Sequence, residues 1–225
     1  MPKQDMKRLE QKEKEREDKA KVQGGSDEKA KPQLQAEIMK RWKGKDWFAV
    51  MAPKLFGEIF LYDTPAIDPK LVIGRKVEIP VPFLTNDKTK NHMKIVFRVN
   101  DVQDKSAHTV FDSYFCSREF IARNVRKRCQ KLDVTNYVDT KDNWRLQVTT
   151  TAILNRNVKE NVETKMHNLI ESGLKEMAAT ATLDEFIKNV ISSVYQKKLR
   201  KDGTKIYPVR FTEISKVEVI KAPAA

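Results

Sequence analysis

The chain is 225 residues long, enough for one large domain or two small ones with a substantial buried core. Its 44 Lys and Arg against 31 Asp and Glu leave a net charge of +13, which favours a polyanionic partner, nucleic acid or an anionic membrane surface. Apolar runs are too short for a membrane span, no secretory signal opens the chain, and two cysteines, Cys116 and Cys129, make no disulfide framework.

Residues 1–35 alternate Lys and Glu densely, with only Met6, Leu9 and Val22 as larger apolar side chains, and Gly24-Gly25-Ser26 and Pro32 interrupt them. Having little to bury, they read as a charged arm, disordered or an extended helix, outside a single domain over 36–225. Lys40-Arg41-Trp42-Lys43-Gly44-Lys45 is a basic run around an aromatic residue. Asp46 to Met51 reads as the first strand, ended by Pro53. Up to about residue 115, β-branched runs such as Leu71-Val72-Ile73 and Lys76-Val77-Glu78-Ile79 alternate with Pro65, Pro69, Gly74, Pro80 and Pro82. Prolines beside the runs argue for edges and bulges, as in a curved antiparallel β-sheet or barrel. Met93 to Val99 alternates as a half-buried strand, and Ala107 to Phe115 is its expected partner across the Asp101–Lys105 turn.

The stretch from Ser117 to Leu132 has helical spacing. Ile121, Val125, Cys129 and Leu132 return to one side at intervals of 4, 4 and 3, while Arg123, Arg126, Lys127 and Lys131 take the other. Ser117 suits the N-cap and Glu119 the positive end of the dipole. Few acids compensate the basic side, and a one-sign face repels itself until a polyanion neutralises it.

Beyond this, Val134 to Val138 is a strand candidate, followed by a polar turn at Lys141-Asp142-Asn143. Trp144, Leu146, Val148, Thr150, Ala152 and Leu154 mark the clearest period-two strand. Asn157 with Glu160 opens a helix to about Ser172, and Thr182 with Glu185 forms a capping box for a second. The second helix carries Leu183, Phe186, Ile187, Val190, Ile191 and Val194 on one side. Lys197-Lys198-Leu199-Arg200-Lys201 closes it, with Asp202-Gly203 as the stop, and Ile206 to Ile220 is β-rich. Strands, helix, strands, two helices and a strand make the class α+β, a sheet or barrel core with flanking helices.

Enzyme motifs are scarce. No P-loop, GxGxxG, GxSxG or CxxC occurs, so neither a cofactor nor a metal is expected. A Cys116–His108–Asp112 nucleophile site is the one constellation on offer. The basic clusters are more informative as a set: Lys40, Arg41, Lys43 and Lys45; Arg118, Arg123, Arg126, Lys127, Arg128 and Lys131; Lys197, Lys198, Arg200 and Lys201. Sharing one surface, they would follow a folded RNA through its phosphates. The alternatives are a free-standing RNA-binding regulator, needing exposed aromatics on a sheet, and an enzyme acting on RNA, needing paired carboxylates or a metal cluster.

Trp47-Phe48-Ala49-Val50-Met51-Ala52-Pro53 with Phe56 resembles the opening W-[FY]-x-V-x-A-P…F of the S-three-Ae family of small-subunit ribosomal proteins of archaea and eukaryotes. Asn86-Asp87, Asp101-Val102-Gln103 and Leu132-Asp133-Val134 follow in the family's order. Ile206-Tyr207-Pro208-Val209, leading to Lys216-Val217-Glu218-Val219, resembles its closing motif. The likeness covers residues 40–221, and without the C-terminal extension typical of eukaryotic members the chain resembles the archaeal type. It implies a non-catalytic structural constituent of the small ribosomal subunit, cytoplasmic, on the platform near the RNA 3′ end and the messenger exit. Its implied partners are small-subunit ribosomal RNA, neighbouring small-subunit ribosomal proteins and messenger RNA near its exit, with no membrane.

Overall fold

Period-two alternation builds eight strands into one sheet. The computed structural model describes residues 44–223; the arm expected over 1–35 and the basic residues Lys40, Arg41 and Lys43 lie outside the described residues. Two compact units divide the chain, Met1–Asp46 and Trp47–Ala225, and the helices among the described residues all belong to the second. The strands are β1 (Asp46–Met51), β2 (Phe60–Ala66), β3 (Lys76–Pro80), β4 (Met93–Gln103), β5 (Ser106–Cys116), β6 (Gln130–Asp139), β7 (Arg145–Leu154) and β8 (Val209–Lys221). The helices are α1 (Val81–Thr85), α2 (Arg118–Asn124), α3 (Glu160–Thr180), α4 (Leu183–Ile191) and α5 (Val194–Thr204).

The strand order is β2-β1-β5-β8-β7-β6, with β4 and then β3 on the other edge of β5. The sheet is open rather than closed into a barrel. It is also not wholly antiparallel, because β1 runs parallel to β5 in the register Ala49↔Ser106 to Met51↔His108. One edge of β5 therefore pairs β1 near its start and β8 near its end, at Ser113↔Glu218 to Phe115↔Lys216. Bulges at Val96/Phe97 and Val99/Asp101 in β4 add the local twist that bends a sheet.

Helices α3, α4 and α5 cover one face of β6, β7 and β8. Helix α3 buries Met166, Ile170, Leu174 and Met177, and α4 buries Leu183, Phe186, Ile187, Val190 and Ile191. They close over Leu132, Val134, Val138, Leu146, Val148 and Ala152 in the main core. The capping box of α4 forms as expected, Thr182 accepting from the Glu185 N–H and Glu185 from the Thr182 N–H. Four local expectations fail. Asn157 does not cap a helix ending near Ser172: α3 starts at Glu160 with Lys159 at the N-cap, has no side-chain cap, and runs to Thr180. Leu71-Val72-Ile73 is a turn, because Pro69 starts a single 3-10 turn closed by Leu71 N–H to Asp68 O. Val194 does not extend α4; it opens α5 after the left-handed Ser193 and is exposed. Asp202-Gly203 is not a stop either: α5 runs through to Thr204, and Gly203 lets it approach Met166 and Val209.

The helix expected over Ser117–Leu132 is the largest correction. Helix α2 ends at Asn124, and Val125 is already extended at ψ 119°. Arg126 to Cys129 form a turn, and β6 begins at Gln130. The reason is competition between periods. From Leu132 onward Leu132, Val134, Asn136 and Val138 alternate inward, and β6 completes a ten-residue ladder with β7 that a helix through Leu132 would forfeit. Continuing the helix would also stack Arg123, Arg126, Lys127, Arg128 and Lys131 within two turns. Val125, expected in the apolar stripe, is 38% exposed.

Candidate nucleic-acid interface

One end of the sheet gathers several chain segments. There β5 leaves into α2, β6 and β8 begin and β7 ends, with Gln130↔Leu154 and Leu154↔Val209 as the terminal pairs. The Asn155 N–H donates to Pro208 O, and Cys129 Sγ lies 3.7 Å from Asn155 O. Gln130 joins the connections: its Oε1 accepts from the Val158 N–H at 2.8 Å and its Nε2 donates to Glu163 Oε2 at 2.9 Å. The loops 125–129, 155–159 and 205–208 are thereby held at a common edge by backbone and amide bonds.

Helix α2 packs at the same end, on the sheet face opposite α3 to α5. Phe120 stacks on His92 with centroids 3.7 Å apart and meets Phe211 of β8 edge-on at 5.7 Å. Beneath it, Ile121, Cys116 and Ile153 are buried apart from the main core. Burial lowers the His92 pKa, favouring a neutral imidazole in the stack. At the helix start Ser117 Oγ donates to Glu119, which holds that carboxyl below its ordinary range. Beside α2 an open groove of about 1060 Å³ runs over the outer sheet face, lined by Lys94, Arg118, Val125, Lys131, Thr149 and Lys216 among others.

Onto this frame the sequence hangs its cations. Arg118 and Arg123 lie exposed on α2, and Arg126, Lys127 and Arg128 on the turn that follows. Arg123, Arg126, Lys127 and Arg128 make no ion pair among the described residues. The turn closes by Cys129 N–H to Arg126 O at 3.0 Å, and Arg128, its third residue, has φ +73°. Positive φ at that position alone is the type II pattern, which normally takes Gly. A non-Gly residue held there stores strain, a feature that concentrates at functional sites.

The remaining expected residues divide. Lys131 is on β6, on the outer face, and is paired with Asp133 at 2.6 Å. Lys197, Lys198, Arg200 and Lys201 occupy the exposed side of α5, whose other side buries Tyr195, Gln196, Leu199 and Gly203. Since α5 rises about 1.5 Å per residue toward the common edge, Lys201 stands nearest to it along the helix axis. Lys45 belongs to the first unit and is half-buried. Sequence reasoning missed Arg156 and Lys159 in the 155–159 loop, and Lys205 just past α5. Lys205 binds Asp202 at 2.8 Å and depresses that carboxyl's pKa. Single bases in short connections leave no run to notice; the register Gln130↔Leu154 is what brings them to Arg126–Arg128.

The nucleophile constellation dissolves. Cys116 and His108 sit eight residues apart on β5, about 27 Å along an extended strand. Burial pushes the Cys116 thiol up to about 12, and Asp112 is held by Lys76 at 2.7 Å and lies 3.9 Å from Arg98. Among the described residues no group of His, Cys, Asp or Glu is arranged to hold a metal ion, and no helix is long and apolar enough to cross a membrane.

Comparison with known proteins adds an independent finding. Residues 33–223 match the model of the ribosomal S3Ae family. The chain is similar to small ribosomal subunit protein eS1 of Sulfurisphaera tokodaii, 34% identical over 187 residues, covering 83% of this chain and 97% of that protein. It is likewise similar to small ribosomal subunit protein eS1 of Methanopyrus kandleri, 31% identical over 190 residues, covering 83% of this chain and 90% of that one. For the protein of the same name from Methanothermobacter thermautotrophicus the identity is 31% over 183 residues, covering 81% and 94%.

Proposed function

Because the chain belongs to the ribosomal S3Ae family, we propose that it is a structural, non-enzymatic constituent of the small ribosomal subunit, binding ribosomal RNA with the basic edge described above. The observation that supports the site is the convergence of Arg118, Arg123, Arg126, Lys127, Arg128, Arg156 and Lys159 on one end of a rigid sheet. Fixed cations neutralise phosphates that must approach closely when RNA helices pack, and the ladder prevents the cations from retreating. Lys197, Lys198, Arg200 and Lys201 on α5 form a second patch on the helical side, which suits an RNA that wraps more than one face. Lys40, Arg41, Lys43 and Lys45 complete the set as further phosphate contacts.

The finer location comes from the family resemblance: the platform, near the 3′ end of the small-subunit RNA and the messenger exit, with messenger RNA and neighbouring subunit proteins as further partners, in the cytoplasm. Sedimentation through sucrose gradients at low and moderate salt is the test. Co-migration with the small subunit is expected, released only as salt rises. A protein found mainly in ribosome-free fractions at moderate salt refutes the reading.

A further inference from the structure

The loop between β2 and β3 concentrates exposed apolar side chains. Ile67, Leu71 and Ile73 are 59%, 56% and 49% exposed, three large aliphatic side chains within seven residues. Isolated exposed apolar residues are ordinary, but a cluster held in one short loop is not. The loop is also rigid. The Arg75 guanidinium donates from Nε to Leu71 O at 2.9 Å and from Nη1 to Pro65 O at 3.1 Å and to Thr64 Oγ1. Gly74 N–H donates to Val99 O and Val99 N–H to Arg75 O, both at 2.9 Å, so β4 anchors the far side. The aliphatic side chains are therefore presented in fixed positions, which lowers the entropy cost of burying them against a partner.

The charges around the loop run against the protein as a whole. Beside the loop stand Asp63 and Asp68 against Lys70, in a chain of net charge +13. The two carboxylates are exposed and make no ion pair among the described residues. Of the nearest cations beyond Ile73, Arg75 is turned inward onto the backbone and Lys76 is paired with Asp112. The loop is also remote from the basic edge. It attaches to β4 at Val99, whereas α2 attaches at the other end, through Ser117 N–H to His92 O. Six strand residues separate Met93 from Val99, about 20 Å.

RNA does not fit this surface. Its phosphates are repelled by carboxylates, and its apolar faces are bases, which proteins meet with aromatic rings or guanidinium planes rather than Ile and Leu. We infer that the Ile67–Ile73 loop is a protein-docking knob, taking a neighbouring subunit protein that offers an apolar pocket rimmed by Lys or Arg. Aliphatic anchors in the pocket give affinity, and Asp63 and Asp68 facing basic residues give orientation. The inference rests on the chain's being built into the small subunit, and it divides the molecule: one end of the β4–β5 hairpin for RNA, this loop for protein.

The test uses small subunits assembled with the full chain carrying the photo-crosslinker p-benzoylphenylalanine in place of Leu71, and a second preparation with it in place of Lys127. Irradiation should join position 71 to a protein, through a peptide with more Lys and Arg than Asp and Glu, and position 127 to RNA. An adduct of position 71 with RNA or with an acidic peptide overturns the inference, as does no adduct there while position 127 reacts. Absence of the wild-type chain from the small subunit overturns the ribosomal reading and the inference together. A protein adduct at 71 without an RNA adduct at 127 supports the knob and removes only the RNA edge. The triple variant Ile67→Ser, Leu71→Ser, Ile73→Ser gives the functional counterpart. It should be washed from subunits by salt with at least about three-fold lower retention, while its affinity for protein-free ribosomal RNA stays within about two-fold of wild type. Equal retention overturns the knob, and so does an equal loss of naked-RNA affinity.

Discussion

Arg128 offers a perturbation in which stability and function move in opposite directions. At φ +73° its backbone sits where a side chain costs about 1–2 kcal/mol relative to Gly. Arg128→Gly removes that strain but loosens the unfolded chain, at a cost of about 0.4–1 kcal/mol. The side chain is exposed and makes no ion pair among the described residues, so no folded-state contact offsets the gain. The variant should therefore be more stable by up to about 1.6 kcal/mol, a rise in Tm of up to about 3–6 °C for a domain of this size. Binding should change the other way. The slope of log affinity against log salt, measured by filter binding to transcribed small-subunit RNA from about 50 to about 200 mM, should lessen by about 0.7–0.9, one phosphate contact. Arg128→Ala keeps the strained backbone and loses the charge, so it should weaken binding without the thermal gain. If Arg128→Gly binds with unchanged affinity and salt slope, the turn is an ordinary solvated surface and the strain has no electrostatic purpose. If it melts lower than wild type, the conformational argument fails instead.

The buried pair on β8 and α5 gives a second expectation. Glu213 accepts from Gln196 Nε2 at 2.9 Å, burial raises its pKa above the ordinary 4.5, and Gln196 Oε1 has no hydrogen-bond partner. The folded protein thus holds the proton more tightly than the unfolded chain, so stability falls as pH rises from 4.5 through the folded-state value. Glu213→Gln, which adds a donor for that oxygen, should raise stability at neutral pH by about 1 kcal/mol and flatten this part of the profile; denaturant melts at several pH values check both. Gly203→Val should cost about 1–3 kcal/mol despite better helix propensity, because even a Cβ there meets Met166 Cε at 2.9 Å and Val209 Cγ2 at 3.1 Å; chemical denaturation measures it. Val125→Asp would wreck a helix running to Leu132, but on the exposed extended residue seen here it should shift stability by no more than about 0.5 kcal/mol, which a thermal melt decides.

Elements whose signal is local were legible along the chain. Strand β7 could be read from Trp144 to Leu154 because each side chain's face depends only on its neighbours two residues away. The α4 capping box needs only Thr182 and Glu185, and the family likeness needs only short motifs in order. The basic cluster Lys197, Lys198, Arg200 and Lys201 was legible as a run, but that it belongs to a separate helix, α5, was not, because the break at Ser193 has no local signal. Tertiary structure decided what depends on distant partners. The spacing of Ile121, Val125, Cys129 and Leu132 satisfies a helix as well as chance allows, and only the ladder with β7, some twenty residues on, makes β6 the better use of Leu132 and Val134. The parallel β1–β5 pairing has no local signature, because pairing direction belongs to two strands and not to either sequence. Arg156 and Lys159 join Arg126–Arg128 through hydrogen bonds of Gln130 that link residues far apart in the chain. Charge and pattern are properties of a segment and can be read from it; which charges share an edge is a property of register, and the packed sheet sets that.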